Sequence, residues 1–221
     1  MQKFDTPAPI SAVVEIPAGR VQFIAADRAD TTVEVRPADA SSGRDVQAAQ
    51  QTTAGFGGGV LRIATPTGGR ILGGAGSVEV TVQLPAGSRV EAKAASVEFR
   101  AVGRLGDVTL DSPRATVKID EAASARLTTL DGNVTVGRLG GGAEIRTGRG
   151  DITIAEAIRG ALELRTADGA ITVDAAAGVP ASLDAGTGYG RISNSLKNGA
   201  GAADLTIHAT TERGDITARS L

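Results

Sequence analysis

Apolar and polar side chains alternate with period two along most of this chain. Ile152 and Ile154 flank Thr153, and Leu162 and Leu164 alternate with Glu163 and Arg165. Such alternation puts apolar side chains on one face of an extended strand and polar ones on the other. The stretch 152–164 also contains Ala, Glu and Leu, which favour helices, but Gly160 interrupts it and its flanks are β-branched. The pattern therefore predicts strand, turn, strand. Alternation at 13–16, 21–25, 33–36, 60–63 and 78–84 predicts further strands in the N-terminal part. The intervening stretches 39–59 and 66–76, rich in Gly, Ser, Thr and Gln, read as long loops.

The strands repeat. A unit of glycine, a variable residue, Val or Ile, then Thr or Ser begins at Gly106, Gly132, Gly150, Gly169, Gly190 and Gly214, at separations of 26, 18, 19, 21 and 24 residues. Most copies follow a second alternating segment, such as Ala125-Arg126-Leu127-Thr128-Thr129, Ala143-Glu144-Ile145-Arg146-Thr147 or Leu162-Glu163-Leu164-Arg165-Thr166. Each unit thus holds two strands. An N-terminal element, Ile16-Pro17-Ala18-Gly19, returns as Leu84-Pro85-Ala86-Gly87, and proline followed by glycine two places later suits a type I turn between strands. Two architectures fit: a parallel solenoid, with copies stacked about 4.8 Å apart, or an antiparallel sandwich with hairpins at Asp131-Gly132 and Asp168-Gly169. The segment after each corner keeps its chemistry from copy to copy, as stacked positions require, and this favours the solenoid. The expected fold is all-β: a parallel single-stranded β-solenoid over 77–221, with an N-terminal β segment, 1–76, that caps the stack and is best treated as one domain with it.

Composition narrows the function classes. The 221 residues suffice for a sizeable core. With 23 basic against 25 acidic side chains and 2% aromatics, the chain lacks the basic surplus and stacking platforms that nucleic acid requires. No cysteine is present, so disulfides, thiolate metal sites and a cysteine nucleophile drop out, and His208 is the one histidine. The start Met1-Gln2-Lys3-Phe4-Asp5 has no apolar core, and no run of 18 apolar residues occurs, so a cytoplasmic address is the default expectation, with surface association left open.

The Leu-Pro-Ala-Gly-Ser element at 84–88, with the Gly-Asp-(Val/Ile)-Thr units at 106–109, 150–153 and 214–217, resembles the bacterial family of putative adhesins known as domain of unknown function 4097. The resemblance covers 10–221 and implies a β-solenoid of stacked, glycine-cornered strands. It implies almost no chemistry, because the adhesin label reflects shape and repeats.

Stacking in register would align Asp107, Asn133, Asp151, Ala170, Arg191 and Asp215 after the corner glycines. A carboxylate ladder could bind calcium or supply the acid and base of a polysaccharide-cleaving solenoid. The plainer reading is that Asp and Asn hydrogen-bond backbone at a turn, since Ala170 and Arg191 break the ladder and the spacing exceeds that of calcium-binding β-rolls. A second column, Thr109, Thr135, Thr153, Thr172, Ser193 and Thr217, suits half-exposed strand positions. Neither metal nor cofactor is expected.

The surface binding candidates are Arg146 and Arg165, aligned on adjacent rungs with Thr128 and His208 and partnered by Glu144 and Glu163, together with Tyr189 in the corner 186–190. The glycine clusters 55–59 and 68–76 lack the Gly-Lys-Ser/Thr ending of a phosphate cradle. The expected function is a non-enzymatic interaction or scaffold module presenting strand faces to a protein or glycan. The alternatives are self-assembly, because the repeat at Gly214 ends near the C-terminus and would leave an unpaired edge, and a carbohydrate-active enzyme.

Overall fold

The computed structural model describes residues 1–66, 76–197 and 202–221. Strands dominate: β1 (Gln2–Asp5), β2 (Ser11–Ala26), β3 (Asp30–Pro37), then helix α1 (Gly43–Gln51), β4 (Thr53–Gly57), β5 (Val60–Ala64) and β6 (Ser77–Pro85). There follow β7 (Arg89–Asp131), β8 (Val134–Leu139), β9 (Ala143–Arg149), β10 (Ile152–Ala157), β11 (Gly160–Asp168) and β12 (Ile171–Ala175). The chain ends with β13 (Ala181–Tyr189), β14 (Ile192–Ser195), β15 (Leu205–Arg213) and β16 (Ile216–Ser220). No helix among the described residues is long and apolar enough to cross a membrane.

The repeats stack as parallel ladders, as the solenoid reading expects. In one ladder β7, β9, β11, β15 and β13 lie side by side, with Ala143 beside Leu162 and Leu162 beside Ile207. In the other, β7, β8, β10, β12, β16 and β14 do so, with Val134, Ile152, Ile171, Ile216 and Ile192 in register. The inward phases of both ladders meet in one continuous apolar core, in which Ile145, Ile152, Leu162 and Ile171 are fully buried. Phe23 and Phe99, also fully buried, pack with ring centroids 5.7 Å apart.

Corners join the ladders. Gly150 has φ +139°, and a Cβ built there would lie 2.3 Å from the carbonyl oxygen of Gly132. The same approach recurs from Gly169 to Gly150 and from Gly214 to Gly169, so side chains are excluded from this column by the backbone of the next rung. Buried threonines one rung along complete the corner: Thr166 Oγ1 donates to the carbonyl of Gly150 at 3.0 Å and Thr211 Oγ1 to that of Gly169 at 3.1 Å. Each hydroxyl supplies a donor to a carbonyl turned toward the interior, where an unpaired acceptor is costly.

Spatial order departs from sequence order at the C-terminal end. β15 lies between β11 and β13, and β16 between β12 and β14, so the last repeat is an interior rung. Arg219 fastens it, donating from Nε and Nη2 to the two carboxylate oxygens of Asp174 on β12 at 2.8 Å each. The unpaired edge expected at Thr217 and Ala218 is therefore absent: Thr217 pairs with Thr172 on one side and Ser193 on the other. The terminal rung is β13 with β14, and its core positions dwindle. Ile154, Val173 and Ala218 lead to an exposed Asn194, and Ile145, Leu164 and Ala209 lead to Ala185. This tapering, polar coil caps the end from a position earlier in the chain.

The opposite end closes with antiparallel strands. β2 is flanked by β7 on one side and by β5 and β6 on the other; β6 then pairs antiparallel with β3, β3 with β1, and β5 with β4. The expected loop 39–59 is instead helix α1 and the hairpin β4–β5. Ser42 caps the helix by accepting from Asp45 N–H at 3.4 Å, and the Asp45 carboxylate accepts from Ser77 N–H at 3.0 Å, tying the helix to β6. Gly58 and Gly59, with φ +58° and +77°, make the hairpin turn. Apart from their ends, the expected loop 66–76 and its glycine cluster 68–76 lie outside the described residues. The Pro-Ala-Gly element at 17–19 is a bend inside continuous β2, because Ala18 keeps partners on both flanks, whereas its echo at 85–87 is a turn.

The corner geometry predicts that Gly150→Ala costs more than about 3 kcal/mol through strain and collision with backbone. Gly186→Ala, where nothing lies within 4 Å, should cost less than about 0.5 kcal/mol. Denaturant midpoints check both.

Hydrogen bonds from Arg28 and Lys3 hold the Asp30 carboxyl at about 2, well below its ordinary value. A depressed carboxylate stabilises fully above its unfolded pKa, near about 4, and that contribution fades as pH falls through about 2. Asp30→Asn should flatten the acid limb of the stability curve in that window, read from thermal melts.

Candidate functional site

The polar phase of the β9–β11–β15–β13 ladder carries charged side chains in register on the outer face. Register places Arg126, Glu144, Glu163, His208 and Asp184 in one column across the rungs. The neighbouring column, two residues along each strand, runs Thr128, Arg146, Arg165, Thr210 and Gly186. Arg146 and Arg165 are thus adjacent, as the alternation predicts. His208 belongs to the carboxylate column and not beside the arginines, because Gly160 aligns with Leu205 and so brings Glu163 opposite His208.

A groove of about 190 Å³ opens between these columns, lined by Arg146, Glu163, Arg165, Asp184, His208 and Thr210. Glu144 accepts from Arg126 Nε at 3.2 Å and lies 2.8 Å from Arg146 Nη2, so it neutralises one guanidinium of the adjacent pair. Arg165 instead donates from Nε to Thr210 Oγ1 at 3.2 Å, and among the described residues neither Arg165 nor Glu163 forms an ion pair. His208 Nδ1 lies 3.2 Å from Asp184 Oδ2, with side chains 41% and 81% exposed. These groups stand in water, where an ion pair contributes at most about 1 kcal/mol.

A second groove of about 530 Å³ adjoins the first through the Glu144–Arg146 pair. Asp107, Ser124, Arg126 and Glu144 line it, over a floor that includes Gly142 and Ala161. Tyr189 does not join either groove: it lies at the end of β13 opposite Arg213 and is 80% exposed. Three of the four binding candidates therefore converge and the fourth stands apart.

The expected carboxylate column is reordered. Asp107 belongs to the other ladder, 3.2 Å from Arg89 Nε and accepting from Ser124 Oγ at 2.7 Å. Asp215 falls between Ala170 and Arg191. The remaining members bond backbone, though across rungs and not within their own turn: Asn133 Oδ1 accepts from Asp151 N–H at 2.9 Å, Asp151 from Ala170 N–H at 2.8 Å and Asp215 from Arg191 N–H at 2.8 Å. Thr135, Thr153, Thr172, Thr217 and Ser193 are in register on the outer face of their ladder. Among the described residues no three of His, Asp and Glu converge as a metal-ligand set. The inward threonines at 129, 147, 166 and 211 were the column that pattern reading overlooked. Their signal is a threonine recurring in the apolar phase, after Leu162 and Leu164 for example.

Asparagine keeps the acceptor that Asp151 offers to Ala170, so Asp151→Asn should cost no more than about 1 kcal/mol. Ile152→Asp, which places an unpaired charge in the core, should unfold the array. Urea titration of the two variants distinguishes a structural corner from a charge-dependent one.

The family model described as Toastrack DUF4097 matches residues 13–219. No curated protein matches the chain. Similar solved structures include a putative cell adhesion protein from Clostridium sporogenes, 12% identical over 100% of this chain and 98% of that one, with a TM-score of 0.35. Others are putative adhesins from Bacteroides fragilis (11% identity, 98% and 95% of the chains, TM-score 0.48) and Parabacteroides distasonis (13%, 98% and 95%, 0.43). With glycine-cornered strands stacked in two parallel ladders and a family match spanning residues 13–219, the chain belongs to the Toastrack DUF4097 family.

Proposed function

We propose that the chain is a non-enzymatic binding module whose contact surface is the outer face around Arg146, Arg165 and His208, and whose partner is a protein or a glycan. The observation that carries this reading is the pair of adjacent guanidiniums, of which only Arg146 is neutralised by a carboxylate among the described residues. Arg165 and Glu163 are left with hydrogen-bonding capacity directed outward, on strands that the core holds rigid. A face preorganised in this way binds without the ordering cost that a loop would incur.

Solvent exposure favours binding over turnover. Acid–base and electrostatic catalysis draw their strength from enclosed sites of low dielectric, and the His208 and Asp184 side chains are 41% and 81% exposed.

The test compares wild-type chain with the Arg146→Ala, Arg165→Ala double variant on a glycan array and in cross-linking from a native lysate. The double variant should hold its ligand at least about tenfold more weakly, a loss of about 1.4 kcal/mol, whereas Thr135→Ala on the other ladder should leave binding unchanged. Equal retention by the double variant, or chemical conversion of the ligand, would overturn the proposal.

A further inference from the structure

We infer that the chain forms a closed two-fold dimer in which the free edge of β13 pairs antiparallel with β13 of a second copy. The inference goes beyond the binding-module reading and does not depend on what the outer face holds. Among the described residues four strands pair on one side only: β1, β4, β13 and β14. Natural edges are blunted by short length or by lysine and proline. β1 and β14 have four residues each and β4 has five, whereas β13 has nine and holds neither lysine, arginine nor proline. Its outer row of N–H and C=O groups is the longest of the four.

The inward side chains of β13 lack their second neighbour. Leu183 aligns with Ile207 and, beyond it, Leu162, both fully buried, yet is itself only half-buried. Ala185 is likewise half-buried beside the fully buried Ala209. A further parallel rung is excluded, because Asn194 stands where the other ladder would need an apolar side chain. An antiparallel strand along β13 covers Leu183 and Ala185 and needs no apolar partner at Asn194.

The sequence of β13 is complementary to itself, and this selects a second copy as the partner. A two-fold axis through Ala185, perpendicular to the sheet, overlaps Ala181–Tyr189 with its copy over the full strand and keeps both core-facing sides together. Ala185 then meets Ala185 and Leu183 meets Thr187 on the inward side, while Tyr189 meets Ala181 at the strand end. Outward, Ser182 meets Gly188 and Asp184 meets Gly186, so the one charged side chain of the strand faces glycine. Nothing lies within 4 Å of a Cβ placed at Gly186, which leaves room for that carboxylate. The two Asp184 side chains stand on the diagonal, about 7–8 Å apart, in water that screens them. Each also has His208 Nδ1 of its own chain 3.2 Å away. The pairing extends the β9–β11–β15–β13 ladder across the axis and sets two Arg165–His208 faces on one sheet.

Sedimentation equilibrium of the full chain, from about 1 to about 500 µM, should show monomer and dimer and nothing larger. Gly186→Asp sets a carboxylate opposite Asp184 on both sides of the axis and should weaken the dimer at least about tenfold. Gly186→Lys sets an ammonium there and should tighten it about tenfold, with circular dichroism unchanged in both variants. Because the chain has no cysteine, Ala185→Cys should link into a disulfide dimer under mild oxidation. Ser182→Cys, whose copy lies about 20 Å along the strand, should not. The Arg146→Ala, Arg165→Ala variant should dimerise as the wild type does, so the binding face and the dimer fail separately. Monomer at every concentration, a dimer indifferent to both Gly186 substitutions, filaments that grow with concentration, or cross-linking of Ala185→Cys to another protein alone would overturn the inference.

Discussion

The close approach of each corner glycine to the carbonyl of the corner on the next rung governs this molecule. At Gly150 a Cβ would sit 2.3 Å from the Gly132 oxygen, so the rungs reach strand spacing at the corner only where no side chain intervenes. Once they do, everything else falls into register. Isoleucines and valines meet in the core, inward threonines reach the corner carbonyls, and Asn133, Asp151 and Asp215 bond the next rung's backbone. A repeat of small, individually weak contacts becomes stable because each rung supplies the other half of its neighbour's interactions.

The same logic allows the chain to place its repeats out of order. A rung is accepted wherever its glycine, its inward apolar residues and its threonine match the faces on either side, and the last repeat meets that condition between β12 and β14. Arg219 and Asp174 make the insertion specific with a bidentate pair whose carboxylate is buried and whose guanidinium stays half in water. Placing the coil of β13 and β14 outermost puts Asn194 and Ala185 where a further layer would otherwise demand apolar bulk. Antiparallel strands perform the equivalent service at the other end, since they interrupt the parallel array.

The proposed binding face is built from what the rungs present outward. The β9–β11–β15–β13 face joins carboxylates and guanidiniums in adjacent columns on parallel strands in register.

The sequence by itself determined the strand content, the corner glycines, the inward and outward phases, and the adjacency of Arg146 and Arg165, because all of these follow from alternation with period two and from a glycine that recurs every 18 to 26 residues. Helix α1 escaped pattern reading because it is a single nine-residue element held by Ser42, Asp45 and contact with β6, features too local to stand out among polar residues. Only the tertiary structure decided which rung neighbours which. Gly106 carries the same motif as Gly150 yet joins the other ladder, and the repeat at Gly214 lies inside the one at Gly190. Local sequence states how a rung stacks, but identical rungs stack equally well in several orders; the order was settled by the fit of unlike residues across neighbours, Arg219 to Asp174 and the dwindling core at Asn194. His208 therefore came to lie between Glu163 and Asp184, a placement that no spacing along the chain contains.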